Sequence, residues 1–168
     1  GGILVSAVST IEADVRIEGE RIAAIGPSLS AVGAHAVDAR GKLVLPGGVD
    51  PHTHFDLPMF DTVSSDDHYS GHKAAAFGGT TTVIDFVPLP DSGSLRQAVE
   101  AWRGKADPRA AIDFGFHMNV TRLDDALLGE IPLLPEMGIT TLKVFTAYNN
   151  RLRISDADIF RVLRLAGR

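Results

Sequence analysis

The chain has 168 residues, a formal charge of −5 with both signs interspersed, and no cysteine. Its apolar content supports a core of ordinary domain size. The mild acidity argues against nucleic acid or an anionic membrane surface as the main partner. Disulfides and thiolate metal ligands are ruled out, and no apolar run approaches the roughly 20 residues that span a bilayer. No leader-like segment precedes the first strand pattern, so a soluble intracellular protein is expected. Gly1 stands where a methionine would start a gene product, and Arg168 follows a helical pattern directly. Both ends are expected to be internal to something longer.

Residues 1–45 read as β structure. Ile3-Leu4-Val5, Ala13 to Ile17 and Arg21 to Ile25 are short β-branched runs. Glu18-Gly19-Glu20 between the last two is a hairpin signal, and Gly26-Pro27 closes it. A small sheet or half of a β-sandwich fits this segment, and 46–168 reads as a separate α/β unit.

From Leu43 the rhythm becomes strand then helix. A strand is expected from Leu43 to His54, a helix over Asp66 to Phe77 ended by Gly78-Gly79, and a strand over Thr80 to Val87. Ser94 and Gln97 have the spacing of a capping box, opening a helix with Leu95, Ala98, Val99 and Trp102 on one face. Ala111 to Val120 is the third strand. Asp124 to Met137 is helical but broken by Pro132 and Pro135. Ile139 to Ala147 is the fourth strand, and Ser155 with Asp158 caps a last helix. Such alternation implies parallel strands in an open sheet or in part of an eight-stranded barrel.

In both architectures sites form at the carboxyl ends of the strands. His52 and His54 lie at such an end, and residues two apart on a strand point the same way. Both imidazoles can therefore reach one metal ion. Lys143, in Leu142-Lys143-Val144-Phe145, lies among apolar neighbours that disfavour its charge. A neutral amine can take up carbon dioxide as a carbamate, a carboxylate able to bridge two metal ions roughly 3.5 to 4 Å apart. Zinc suits imidazole and oxygen ligands best.

Simpler roles are expected for the remaining candidates. His35, His68 and His72 read as solvated or hydrogen-bonded surface groups, and Asp66 and Asp67 as acids favouring a helix start. His117 is either a further ligand or a satisfied core histidine. Tyr148 is either ordinary packing or a phenol placed to hold a developing oxyanion.

Pro46 to Pro58, with His52-Thr53-His54 at its centre, resembles the metal-binding signature of cyclic amidohydrolases of the dihydropyrimidinase and hydantoinase group. Thr62 to Asp67, Ala74 to Thr82, Phe116-His117-Met118 and Leu142 to Tyr148 continue the match. The resemblance implies the N-terminal part of a (β/α)8 barrel, about four βα units, preceded by a β-sandwich segment. It implies two divalent metal ions, zinc by expectation, held by His52, His54 and N6-carboxylated Lys143. It further implies Tyr148 on the substrate carbonyl, with Phe145 and the Met59-Phe60 stretch near the ring substituent. A hydroxide shared by the metals would open a small-molecule dihydropyrimidine or hydantoin to an N-carbamoyl amino acid, in a cytoplasmic homotetramer. Further ligands and a catalytic aspartate would come from later strands, so these residues alone are expected to be inactive. A dihydroorotase- or allantoinase-like enzyme, or a non-catalytic assembly relative, is the alternative. Asp56 stands where dihydroorotases usually carry an arginine for a substrate carboxylate.

Overall fold

The computed structural model describes residues 1–59 and 61–167, which divide into two compact units, Gly1–Gly47 and Gly48–Arg168. In the first unit, β1 (Gly2–Val5), β2 (Thr10–Glu18), β3 (Arg21–Gly26) and β4 (Leu43–Val44) form one sheet in the order β3-β2-β1-β4. The hairpin signal is realised: β2 and β3 pair antiparallel, and Gly19 takes the left-handed backbone (φ 60°) that the turn needs. β4 runs parallel to β1, pairing Leu43 and Val44 with Ile3 and Leu4.

That pairing corrects the expected continuous strand from Leu43 to His54. Leu43-Val44 belongs to the first sheet, and a second strand, β5 (Gly48–Thr53), starts only after Pro46-Gly47. Pro46 has no amide to donate to a ladder and the run breaks there, whereas Pro51 is accommodated inside β5 where the register against β8 shifts.

The second unit follows with a short ribbon, β6 (Pro58–Met59) and β7 (Thr62–Val63), then α1 (His68–Phe77) and β8 (Thr80–Val87). Next come α2 (Leu95–Ala106), β9 (Asp113–Asn119), α3 (Asp125–Glu130) and a 3-10 helix (Ile131–Met137). β10 (Leu142–Lys143) and α4 (Asp156–Ala166) complete it. β5, β8, β9 and β10 lie side by side in chain order, every pair parallel. A doubly wound open sheet reverses its strand order at a switch point, whereas a barrel adds each strand beside the previous one. The sequential order is that of four βα units of a (β/α)8 barrel.

Alternation along the strands sorts side chains into two layers. Phe116, Met118 and Val87 enter an apolar cluster with Leu95, Ala98, Val99 and Trp102 of α2 and Leu127 of α3. Each such side chain, fully buried, contributes about 1.5–3 kcal/mol. The expected caps form: Ser94 Oγ accepts from the Gln97 amide at 3.1 Å while Gln97 Oε1 accepts from the Ser94 amide at 3.1 Å. Ser155 Oγ likewise accepts from the Asp158 amide. The two prolines split the third helical region, leaving α3 and a 3-10 segment that Gly138 ends with a left-handed backbone (φ 79°). The fourth strand is far shorter than Ile139 to Ala147. Only Leu142 and Lys143 pair, against Met118 and Asn119, at the edge of the described sheet.

Candidate metal centre

His52 lies on β5 and His54 just beyond it, at the carboxyl end of the first barrel strand. The strand end is turned by the Asp50 carboxylate, which accepts from the His52 amide at 3.0 Å. The two imidazoles sit edge to face with centroids 5.1 Å apart. Both rest on Phe86 of β8, at 4.7 Å for His52 and 4.9 Å for His54. Lys143 reaches the same ring from β10, its Nζ 4.0 Å from the Phe86 centroid, and lies 5.1 Å from the Phe145 ring. Phe86 itself is only 5% exposed. Two imidazoles and one amine are thus gathered on a single buried aromatic side chain.

Burial lowers the pKa of the Lys143 amine. Burial first, then the Lys143 and His52 charges, lowers that of His54. His54 Nδ1 is buried without a hydrogen-bond partner. Unpaired imidazole nitrogen beside an amine able to become a carbamate is a donor set that fits divalent zinc. Among the described residues no three His, Cys, Asp or Glu side chains meet in a cluster able to hold a metal.

His117 is fully engaged. Its Nδ1 pairs with the Thr141 hydroxyl and its Nε2 with the Pro51 carbonyl at 2.9 Å, so it bridges β9 to the strand end carrying His52. Its ring also stacks 4.8 Å from Phe86. Tyr148 is 56% exposed, its ring 6.2 Å from Phe145. Its backbone has φ 62°, uncommon for a side chain of this size, and its carbonyl accepts from the Arg151, Leu152 and Arg153 amides. Beside this turn a depression of about 560 Å³ is lined by Asn149, Asn150, Arg153, Ile154, Ser155 and Asp156; none of His52, His54 or Lys143 lines it. Met59 pairs with Thr62 in the β6-β7 ribbon, whereas Phe60 lies outside the described residues.

The expectation that His68 and His72 are surface groups is wrong: both are completely buried. With Gly71 and half-buried Ala75 they occupy the inward stripe of α1 at helical spacing, a pattern legible in the sequence if histidine is admitted to an apolar face. His72 Nδ1 accepts from the Ala111 amide at 3.3 Å, while both nitrogens of His68 lack partners. Burial holds the His68 pKa down at about 4. Opposite them Asp85 of β8 is 1% exposed, its carboxyl pushed up to about 6 by burial. Sequence reasoning also passed over Phe86 and Asp85. The lone acid inside the apolar run Thr80 to Val87 was the available signal. His35 is exposed as expected, and Asp67 caps α1.

No protein-family model matches the chain. The D-hydantoinase of Geobacillus stearothermophilus is 45% identical over 163 residues, covering 96% of this chain and 35% of that protein. Among solved structures, the D-hydantoinase from Bacillus sp. AR9 superposes with a TM-score of 0.94 at 47% identity, over 99% of this chain and 36% of the other. The dihydropyrimidinase from Brevibacillus agri gives a TM-score of 0.94 at 46% identity, over 98% and 36%. Strand order and superposition agree on a (β/α)8 barrel segment, and the residues before it form a separate four-stranded sheet. The chain belongs to the D-hydantoinase and dihydropyrimidinase family. It spans about a third of the length of the curated relatives it matches. No described helix is long and apolar enough to cross a membrane.

Proposed function

We propose that the full-length protein hydrolyses the cyclic amide bond of hydantoins or dihydropyrimidines, yielding N-carbamoyl amino acids. The observation carrying this reading is the meeting of His52, His54 and Lys143 on the Phe86 ring, each within 5 Å of its centroid. His52 and His54 would hold one divalent ion. The Lys143 amine would add carbon dioxide, forming an N–C bond and releasing a proton, and its new carboxylate would reach both ions. Two bound zinc ions would supply Lewis-acid activation of water and of the substrate carbonyl.

This chain's own residues would do the rest. The Tyr148 phenol would donate to the carbonyl oxygen as it gains negative charge. Phe145 would lie against the ring substituent. Ring opening adds water across the amide: its oxygen stays on carbon, the C–N bond breaks, and nitrogen takes the proton. Asp56 argues against an anionic substrate, because it stands where an arginine would grip a substrate carboxylate and offers no such cation. Arg109 lies 3.9 Å from it and is already shared with Asp67.

The test is metal analysis and turnover of the full-length gene product with hydantoin and dihydrouracil, compared with Lys143→Ala. About two zinc ions per subunit are expected, with turnover in the variant reduced by more than about a thousandfold, since the bridge supports both ions. Wild-type turnover in Lys143→Ala would defeat the carbamate. Absence of ring opening by the wild-type protein would defeat the enzyme reading and favour a non-catalytic relative.

A further inference from the structure

The histidine strand end is fastened from behind, on the helix side of the sheet. Asp85 pairs across β8 with Thr53, and its side chain leaves the sheet away from Phe86. Asp85 Oδ2 accepts from the Phe55 amide, one peptide bond past His54, at 3.4 Å. The same oxygen accepts from Trp102 Nε1 of α2 at 3.3 Å and lies 3.8 Å from His68 Nε2 of α1. One carboxylate oxygen therefore gathers donors from the strand end and from α2, with an α1 imidazole close by.

Two further facts mark this as more than packing. A carboxylate 1% exposed inside a strand of Val, Ile and Phe is costly to bury, and an apolar residue would serve the core better. The chain beyond His54 is also positioned by close contact: a Cβ at Gly71 of α1 would overlap the Phe55 ring. Phe55 is held at its ring by α1 and at its amide by Asp85.

We infer that Asp85 is a positioning residue for the metal ligands: it fixes the peptide after His54 so that the His52 and His54 imidazoles keep one orientation. The inference rests on reading those histidines as zinc ligands. Ligand-orienting partners of this kind are worth about 10–100-fold in metal affinity.

The experiment uses the full-length protein loaded with zinc and follows zinc release to a chelator, together with deuterium exchange at the Phe55 amide. Asp85→Asn retains an oxygen acceptor, and release within about threefold of wild type is expected; Asp85→Leu removes it, and release about 10–100-fold faster is expected. Phe55 exchange should accelerate at least about tenfold in Asp85→Leu and little in Asp85→Asn. Trp102→Phe keeps a ring in the core while removing one donor, and decides the matter if Asp85→Leu does not fold. Release and Phe55 exchange several-fold faster are expected in that variant at unchanged circular dichroism. Wild-type zinc release in folded Asp85→Leu, or in Trp102→Phe with unchanged Phe55 exchange, overturns the inference while leaving the zinc reading intact. Equal acceleration in Asp85→Asn and Asp85→Leu, tracking their loss of melting temperature, also overturns it. A wild-type protein that binds no zinc removes the underlying reading and the inference together.

Discussion

Phe86 gives the candidate centre its shape, because His52, His54 and Lys143 use its ring as a common floor and His117 of β9 packs against it as well. Replacing it by alanine should cost about 3–5 kcal/mol as a buried aromatic truncation. It should also let Lys143 turn toward solvent, so zinc stoichiometry should drop more than the far-ultraviolet spectrum changes. At His68 the reasoning concerns protons. An unfolded histidine titrates near 6.5 while folded His68 titrates near 4, so acid favours the unfolded chain across that window. Asp85, raised to about 6, acts in the opposite sense: its folded form binds a proton that the unfolded chain at the same pH does not. A direct pH scan mixes the two. The difference between wild type and His68→Leu isolates the histidine. From pH 7 to pH 5 that difference should move by about 2 kcal/mol in favour of the variant, read from urea midpoints at each pH. A variant that tracks the wild type would show that His68 is solvated. At this scale the sequence yielded His52, His54 and Lys143 through spacing and strand context. It could not reveal that Phe86 would lie beneath them, since that depends on register between β5, β8 and β10.

Among elements, α1 shows how position overrides propensity. Alanine is worth about 1 kcal/mol more than glycine inside a helix. Gly71→Ala should nevertheless destabilise, by about 1–3 kcal/mol, because the Phe55 ring is buried and cannot retreat. A rise in melting temperature for Gly71→Ala would contradict the contact. For α2 the expectation is ordinary: Ser94→Ala should cost about 1 kcal/mol, with Gln97 losing its reciprocal bond. The caps were legible because their spacing is local. The length of the fourth strand was not, because apolar β-branched residues around Lys143 signal a strand without saying how far its ladder runs. The break between β4 and β5 was readable in hindsight from Pro46, whose missing amide outweighs the apolar run around it.

For the molecule as a whole, parallel order and family membership were both within reach of the sequence: the first from strand-helix alternation, the second from the run of motifs around His52 and Lys143. Alternation alone left open sheet and barrel undecided; the resemblance implied the barrel, and the strand order bears it out. Expressed as these 168 residues, the chain is expected to show no detectable hydantoin opening, because the described residues hold two histidines and one lysine at the centre and no further ligand cluster. Turnover by this segment alone would mean that three donors suffice. The sheet order carries one more consequence. Each barrel strand lies beside the one made just before it, so pairing during synthesis closes one helical crossover at a time and need not wait for later strands. On the ribosome, the histidine pair and the lysine arm could therefore be assembled while the remainder of the product is still being translated.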